Sequence, residues 1–238
     1  MQDNNNRFGK GYFDENDHKG GIILNQGLTG VFALMFLGLL CTATVAFFVA
    51  TNTAALNFVF GSQIVFWGFL LAPLALVWLV FPRIWNMSAP AAFGLFFVYA
   101  LVNGVTLAFI FFAYDLGTIA LAFFSASGMF AAMALYGAIT KADLSSMGSF
   151  LFMGLIGIII ASVINWFFAS DALDVLISYA GIAIFLGLTA YDVQKIKRQM
   201  ADSGGRAPAA VMVYGALHLY LDFMNLFLFI LRLLGRRR

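Results

Sequence analysis

The chain consists of successive apolar runs of about 20 residues, separated by short polar links. A helix rises about 1.5 Å per residue, so a run of this length matches the ~30 Å hydrocarbon core of a bilayer. In lipid every backbone polar group must be paired within the protein, which favours helices over isolated strands. An outer-membrane barrel would instead show alternating segments of about 10 residues.

We therefore predict an all-α polytopic membrane protein with seven transmembrane helices. The predicted spans cover residues 29–50, 63–82, 89–113, 117–139, 147–168, 174–200 and 208–234. Residues 1–28 are polar and rich in Gly and Asn, and we predict that they form a mobile cytoplasmic N-terminal tail. Residues 29–238 then form a single seven-helix transmembrane domain, in which short links make neighbouring spans antiparallel.

Composition narrows the possible functions. Charged residues make up 10% of the chain, whereas a soluble domain carries roughly 25%. A net charge of +2 gives no reason to expect a nucleic-acid partner. The single Cys41 excludes an intrachain disulfide or a cysteine metal cluster. We expect no cofactor, and the glycines scattered through the spans favour close packing within a monomeric bundle.

The distribution of basic residues predicts the orientation. Nine Lys and Arg residues fall in the tail and in the second-to-third, fourth-to-fifth and sixth-to-seventh links, and the other three links contain none. Basic residues favour the cytoplasmic side, so the N-terminus is predicted to be cytoplasmic. Seven full crossings then place Arg236–Arg238 outside, against that rule. Either the last helix crosses nevertheless, which we favour, or it re-enters and returns to the inside.

Two aspartates, Asp192 and Asp222, lie within predicted spans, whereas the other acids fall in the tail, in links or at span boundaries. An ionisable group in a spanning helix is costly and usually faces a cavity, a partner or an ion path. A turn near residue 207 brings both carboxylates to similar depth. We predict that they share a proton, titrate as a coupled pair, and bind a hard cation such as Ca²⁺ transiently when both are charged. The alternative for Asp192 is an interfacial position beside Lys195.

Further polar residues could line an internal path. Tyr214, His218, Asp222 and Asn225 recur on one face of the seventh helix, which is otherwise apolar almost all round and suited to the centre of the bundle. His218 could titrate near neutral pH or serve as a hydrogen-bonded filler. Asn103, with Tyr99 and Thr106, forms a second stripe that could line the path or join helices. Arg83 could pair with an aspartate as a latch, or simply mark the cytoplasmic interface.

Two sequence strings carry a family resemblance. The stretches Leu219–Leu228 and Ala190–Ile196 resemble signatures of the Bax-inhibitor (TMBIM) family, and Lys141–Phe150 resembles its bacterial, YccA-like branch. The resemblance implies six helices surrounding a central seventh, and a di-aspartyl pH sensor, here Asp192 and Asp222, that controls a calcium leak. It also implies an arginine latch, matched by Arg83, and a leak that acidic pH disfavours. Some relatives carry a glutamate in the second span, whereas the only glutamate here is Glu15, in the tail.

Three classes of function follow from these observations. The first is a pH-sensitive Ca²⁺ leak channel in the bacterial inner membrane. The second, implied by the resemblance, is a stress-protection protein that regulates a membrane-anchored ATP-dependent protease. We expect such a protease to bind the tail segment Arg7–Gly21. The third is an intramembrane aspartyl protease, but such enzymes carry a glycine frame before the second aspartate, and here Leu219-Tyr220-Leu221 precedes Asp222. We therefore expect no enzymatic activity.

Overall fold

The computed structural model describes residues 9–202 and 209–235, with side chains from Gly27 onward except at positions 79 and 80. Within these residues the fold is all helical, as predicted, and contains no strand. The helices are α1 (Gly9–Thr51), α2 (Thr53–Phe60), α3 (Gln63–Ala75), a π-helix (Leu76–Val80), a 3₁₀-helix (Phe81–Asn86), α4 (Ala89–Leu107), α5 (Ile110–Ala113), α6 (Leu116–Ile139), α7 (Ser145–Phe168), α8 (Asp171–Asp202) and α9 (Ala209–Gly235).

Six of the described segments are long and apolar enough to cross a membrane, and a bent pair of helices brings the count to seven if it forms one span. The bent pair replaces the continuous helix predicted over residues 63–82. It joins Thr53–Phe60 to Gln63–Trp78 at an angle of 87°. Asn52 caps the first helix by accepting a hydrogen bond from the Ala55 amide, and the helix ends at Gly61. The sequence prediction missed this short helix because polar residues around Asn52 resemble a link.

Pro73 accounts for the irregular second half of this span. Proline has no amide proton to donate to the carbonyl of residue 69, so one helical hydrogen bond is lost. The Thr106 hydroxyl of α4 has one proton, which it shares between the Phe69 carbonyl at 2.9 Å and the Val102 carbonyl of its own helix at 3.1 Å. After Pro73 the chain continues through the π-helix and the 3₁₀-helix rather than as regular α-helix. A side chain from a neighbouring helix thus satisfies a backbone group that proline leaves free in the membrane.

The α9 helix lies at the centre of the bundle. In its apolar stretch 56% of the residues are buried, compared with 11% for α7. It packs against α1, α4, α6 and α8, and against the 3₁₀-helix. The α7 helix packs chiefly on α8, where Gly148 meets the Tyr191 ring and Gly154 meets Ile184. The spans therefore enclose α9, with α7 set against the α8 side.

The last helix is one unbroken segment of 27 residues. Near its start Tyr214 stacks on Trp85 of the 3₁₀-helix, and at its end Gly235 contacts Tyr114, which precedes α6. These contacts lie at opposite ends of the bundle, so α9 runs its full length rather than turning back. We call the end that carries Trp85, Lys141 and Arg198 the basic end.

An apolar groove reaches α9 from the side, between α1 and α6. Its volume is about 470 Å³, and Phe223, Met224 and Phe227 of α9 form part of its wall. Thr42 of α1 and Phe123 of α6 are also among its lining residues. The central helix is therefore not fully enclosed by its neighbours.

Two predicted regions fall partly outside the described residues. The α1 helix begins at Gly9, so it covers much of the segment that the sequence predicts as a tail. The boundary at residue 28 and the mobility of the tail stay predictions. Residues 203–208, which include the predicted turn near 207, and the terminal Arg236–Arg238 lie outside the described part of the chain.

Candidate functional site

Asp192 and Asp222 come together between α8 and α9. These two helices form an antiparallel hairpin with an extensive shared interface. Asp192 is 6% exposed and Asp222 is 4% exposed, although both are charged residue types. The two carboxyl groups interact electrostatically across the interface. The structure therefore buries both acids at one place, whereas Asp143 and Asp202 near the same end are exposed.

One oxygen of Asp222 finds no hydrogen-bond partner among the described residues. Oδ2 of Asp222 is among the buried side-chain atoms for which the described residues provide no donor or acceptor. Burial of a charge without a partner costs several kcal/mol or more, so such groups are normally paired, neutral or bound to a cation. Unpartnered buried polar atoms are uncommon and often mark functional positions. This oxygen is the most unusual polar atom of the site.

His218 joins Asp192 from the α9 side. Its Nδ1 lies 3.3 Å from Oδ2 of Asp192, and its side chain is 33% exposed. It stands one helical turn before Asp222 and therefore on the same face of α9. Tyr214, one further turn away, packs on the His218 ring with the ring centroids 4.2 Å apart. Three members of the predicted α9 stripe thus line one face towards the basic end.

Lys195 is a cationic side chain that the structure places near Asp192. Its charge interacts with Asp192, and its Nζ donates to the Tyr214 hydroxyl at 3.3 Å. Nζ also lies over the Tyr191 and Tyr214 rings, 5.9 and 5.5 Å from their centroids. Asp192 therefore combines the two alternatives drawn from sequence: it has Lys195 nearby, but it is buried and contacts His218.

Arg83 lies on the 3₁₀-helix at the basic end and is exposed. Its neighbour Trp85 packs against Tyr214, with the ring centroids 5.4 Å apart. The segment that carries Arg83 therefore contacts the start of α9, near the site. A latch between Arg83 and either aspartate stays a prediction.

Asn225 and Asn103 each make a hydrogen bond to a group other than the aspartates. Nδ2 of Asn225 donates to the Leu221 carbonyl of its own helix, at 2.8 Å. Nδ2 of Asn103 donates to the hydroxyl of Tyr220 at 2.9 Å, on the side of α9 that faces α4. Asn103 thus joins two helices, which is one of the two alternatives for its stripe.

Tyr220 and Gln194 are the polar contacts that sequence reasoning missed. Tyr220 is completely buried, and its hydroxyl also lies 2.7 Å from the Thr42 hydroxyl of α1. Gln194 is 8% exposed, and its amide group bonds the backbone of the α6–α7 loop at Ala142 and Leu144. Both residues sit two positions from an aspartate within the strings that resemble the family signatures. That proximity was a signal that could have singled them out.

A salt bridge closes the α6–α7 loop over the end of α8. The Arg198 guanidinium lies 2.6 Å from Oδ1 of Asp143. Hydrogen bonds from Arg198 and Ser145 hold the pKa of the Asp143 carboxyl well below its usual range. This exposed acid is therefore ionised across the physiological range.

The donor set does not amount to a permanent metal site. No group of three or more His, Cys, Asp or Glu side chains converges within the described part of the chain. Ca²⁺ takes six to eight oxygen ligands in stable sites. The two carboxylates could supply only part of such a shell.

Comparison with known proteins assigns the chain to a family. Residues 24–238 match the family model described as "Inhibitor of apoptosis-promoting Bax1". The chain belongs to the Bax inhibitor family. This confirms the resemblance found in the two helix strings, and the match includes both aspartates.

Three bacterial relatives align over nearly their whole length. The inner membrane protein YbhL of Escherichia coli K12 is 43% identical over 218 residues, covering 90% of this chain and 93% of YbhL. An uncharacterized protein of Borreliella burgdorferi is 42% identical, with 91% and 94% covered. An uncharacterized membrane protein of Streptococcus pyogenes serotype M3 is 34% identical, with 93% and 99% covered. This chain therefore aligns with each of these bacterial proteins over at least 90% of its own length.

Proposed function

We propose that this protein is a pH-sensitive calcium leak channel, gated by Asp192 and Asp222. The observation that carries the proposal is the pair of buried, electrostatically interacting carboxyl groups on adjacent spans, one of them with a partnerless oxygen. Two acids this close in a medium of low dielectric cannot both ionise without a large cost. A shared proton or a cation relieves that cost, which links the protonation of the pair to cation passage.

The proposed gating is a shift between two conformations. When the pair shares a proton, α8 and α9 are held together and the path is closed. When both acids are charged, their repulsion favours separation, and a Ca²⁺ ion can contact them in transit. A change in proton count then shifts the balance between closed and open states. We accordingly propose that acidic pH reduces the leak. The mechanism exchanges protons and cations and breaks no covalent bond, so no enzymatic activity is proposed.

We further propose that the protein resides in a bacterial cytoplasmic (inner) membrane with its basic end in the cytoplasm. The name of YbhL and the basic residues at this end support the location and the orientation. His218, which is partly exposed and contacts Asp192, would connect the buried pair to the aqueous phase on that side.

A pH-stepped flux assay tests this function. Purified wild type, Asp192→Asn and Asp222→Asn are reconstituted into liposomes that contain a Ca²⁺ indicator, and leak rates are measured across acidic to neutral pH. The wild-type leak is expected to fall as pH is lowered, and each variant is expected to lose that dependence. Asp202→Asn, at an exposed acid near the same end, is the matched control and should behave as wild type. An Asp222→Asn protein that retains the full pH response would refute the proposed gate.

A further inference from the structure

We propose that Tyr220 and Gln194 are positioning residues for the aspartate pair. Tyr220 holds the Asp222 segment of α9 to α1 and α4, whereas Gln194 holds the Asp192 segment of α8 to α6 and α7. The two acids then belong to two separately braced parts of the bundle. This inference deepens the proposed function and rests on it wherever leak is the readout.

The first brace is a chain of hydrogen bonds with a defined direction. The Thr42 hydroxyl donates to the Ala100 carbonyl of α4 at 2.9 Å. A threonine hydroxyl has one proton, so the 2.7 Å contact between Thr42 and Tyr220 must have Tyr220 as donor. Asn103 of α4 in turn donates to the Tyr220 oxygen at 2.9 Å. Every polar group in this chain is satisfied, and it links three helices two residues before Asp222.

Close packing supports the same three-helix unit. The Tyr220 ring contacts the Tyr99 and Phe96 rings of α4 edge-on, with centroids 5.6 and 6.1 Å apart. A Cβ at Gly104 of α4 would lie 2.7 Å from the Thr42 carbonyl of α1, so α1 and α4 approach each other closely there. Rotation of α9 at Tyr220 would break both the hydrogen bonds and the ring contacts. Tyr220 therefore fixes the direction in which this turn of α9 faces.

The second brace lies two residues after Asp192. Gln194 Nε2 donates to the Ala142 carbonyl at 2.7 Å, and its Oε1 accepts from the Leu144 amide at 2.9 Å. Lys197 donates to the Ala138 carbonyl of α6 at 2.8 Å. The basic end of α8 is thereby tied to the loop that joins α6 to α7.

Helix contacts extend this second unit towards the middle of the membrane. A Cβ at Gly137 of α6 would overlap the Ala190 backbone of α8, and Gly148 of α7 lies directly against the Tyr191 ring. The α6 and α7 helices therefore approach α8 closely at the two residues that precede Asp192. Asp192 sits in a unit of α6, α7 and α8, and Asp222 in a unit of α1, α4 and α9, which packs on the first unit through α6 and α8.

Polar contacts between the two units are longer than those within them. Across the α8–α9 interface, Asp192 lies 3.3 Å from His218, Lys195 lies 3.3 Å from Tyr214, and Arg232 lies 3.5 Å from Asp174. The bonds made by Tyr220 and Gln194 measure 2.7 to 2.9 Å. The α8–α9 interface is therefore the weaker polar junction, and the aspartates separate by movement of one unit against the other.

Paired disulfides test where the movement occurs. In a Cys41→Ala background, Ile196→Cys with Gly215→Cys bridges α8 to α9, because Ile196 atoms lie 3.1 Å from a Cβ built at Gly215. Ile184→Cys with Gly154→Cys bridges α7 to α8 within one unit, where an Ile184 atom lies 2.8 Å from a Cβ at Gly154. The first disulfide should reduce the Ca²⁺ leak to the background of empty liposomes and a reductant should restore it, while the second should leave the leak unchanged. A full leak through the α8–α9 cross-linked protein would overturn the inference.

Substitutions at the first brace test the positioning role. Tyr220→Phe removes the bonds to Thr42 and Asn103, and Thr42→Val removes the bonds to Tyr220 and Ala100. Each should raise the leak at neutral pH by about fivefold, the effect of roughly 1 kcal/mol on a two-state balance. Their combination should have less than the sum of the two effects, because the bond between Thr42 and Tyr220 is lost in both. Thr42→Ser keeps the hydroxyl and should restore the wild-type leak. Equal leaks for Thr42→Val and Thr42→Ser would contradict the role of the hydroxyl chain.

A distance measurement tests this inference independently of the proposed channel function. Spin labels at Ala91→Cys, on α4, and Lys141→Cys, on the α6–α7 loop, report the separation of the two units without any flux. Tyr220→Phe and Gln194→Leu should each broaden this distance distribution relative to wild type. Broadening in a protein that leaks no Ca²⁺ would refute the proposed function and support the two units. Distributions identical to wild type would overturn the positioning roles even if leak is present.

Discussion

The exposed side chain of Asp143 takes part in the contacts that hold the α6–α7 loop against α8, so its titration depends on those contacts. Hydrogen bonds from Arg198 and Ser145 hold its pKa below the ordinary value, and Arg198 also donates to Gln194. The acid therefore belongs to the contacts that fasten the loop to α8. A group with a lowered pKa in the folded state binds its proton less readily there than in the unfolded chain.

Asp143→Asn is expected to lower the thermal stability at neutral pH. Between the unfolded pKa of about 3.9 and the lower folded pKa, the unfolded state binds more protons, so the stabilisation from Asp143 is present above this window and is lost as pH falls through it. Melting temperatures of wild type and variant in detergent should therefore converge in strong acid. Asp202→Asn, at another exposed acid of the same end, is the control. A difference in melting temperature between wild type and Asp143→Asn that stays constant across the acid range would contradict the stabilising role of the ionised Asp143.

At the scale of single helices, the α3 segment depends on a side chain from α4. Pro73 frees the Phe69 carbonyl, and Thr106 donates to it. The sequence shows both residues, yet only the fold reveals that they act together. Thr106 was considered as part of a polar stripe with Tyr99 and Asn103, and each of the three has a separate interhelical role in the structure.

Thr106→Val is expected to lower the free energy of unfolding by about 1 kcal/mol, because the Phe69 carbonyl loses its donor within the membrane. In a Pro73→Ala background the backbone amide of the substituted residue can donate to that carbonyl, so the same Thr106 change should cost markedly less. A double-mutant cycle of reversible unfolding in mixed detergent micelles measures the difference. Additive changes in the free energy of unfolding would show that Thr106 and Pro73 act independently.

The spans could be predicted from the sequence, because every segment that crosses the hydrocarbon core must be long enough and apolar enough to do so. The pairing of Asp192 with Asp222 was accessible for a related reason, since buried acids are too costly to be incidental. The contacts of Tyr220 and Gln194 could not be predicted from the sequence. Their partners, Thr42 and the Ala142 carbonyl, are distant in sequence, and an ordinary tyrosine or glutamine gives no periodic signal.

At the scale of the whole molecule, the bundle has a basic end and an opposite end. The bent helix pair leads from the end of α1 to Trp85, which contacts the start of α9, and it makes a seventh crossing if it forms one span. The unbroken α7 helix places the α6–α7 loop and the α7–α8 link on opposite sides of the membrane. This arrangement follows from the helix contacts and does not depend on the charge rule.

Cysteine labelling in intact cells is expected to show this arrangement and its direction. In a Cys41→Ala background, a membrane-impermeant maleimide should label Ala172→Cys at the start of α8 directly. It should label Lys141→Cys only after the membrane is permeabilised, because the basic end faces the cytoplasm. The reverse pattern would invert the orientation, and labelling of both from one side would contradict the crossings.

The opening between α1 and α6 has a practical consequence. Phe223 and Met224 follow Asp222 directly on α9 and form part of its wall. Phe223 is 3% exposed and Met224 is 8% exposed. Hydrocarbon tails of the bilayer, or alkyl chains of a solubilising surfactant, that fill this opening therefore pack against only the edge of the central helix next to its buried acid. Purification medium and lipid mixture accordingly become experimental variables to be matched whenever preparations of this protein are compared.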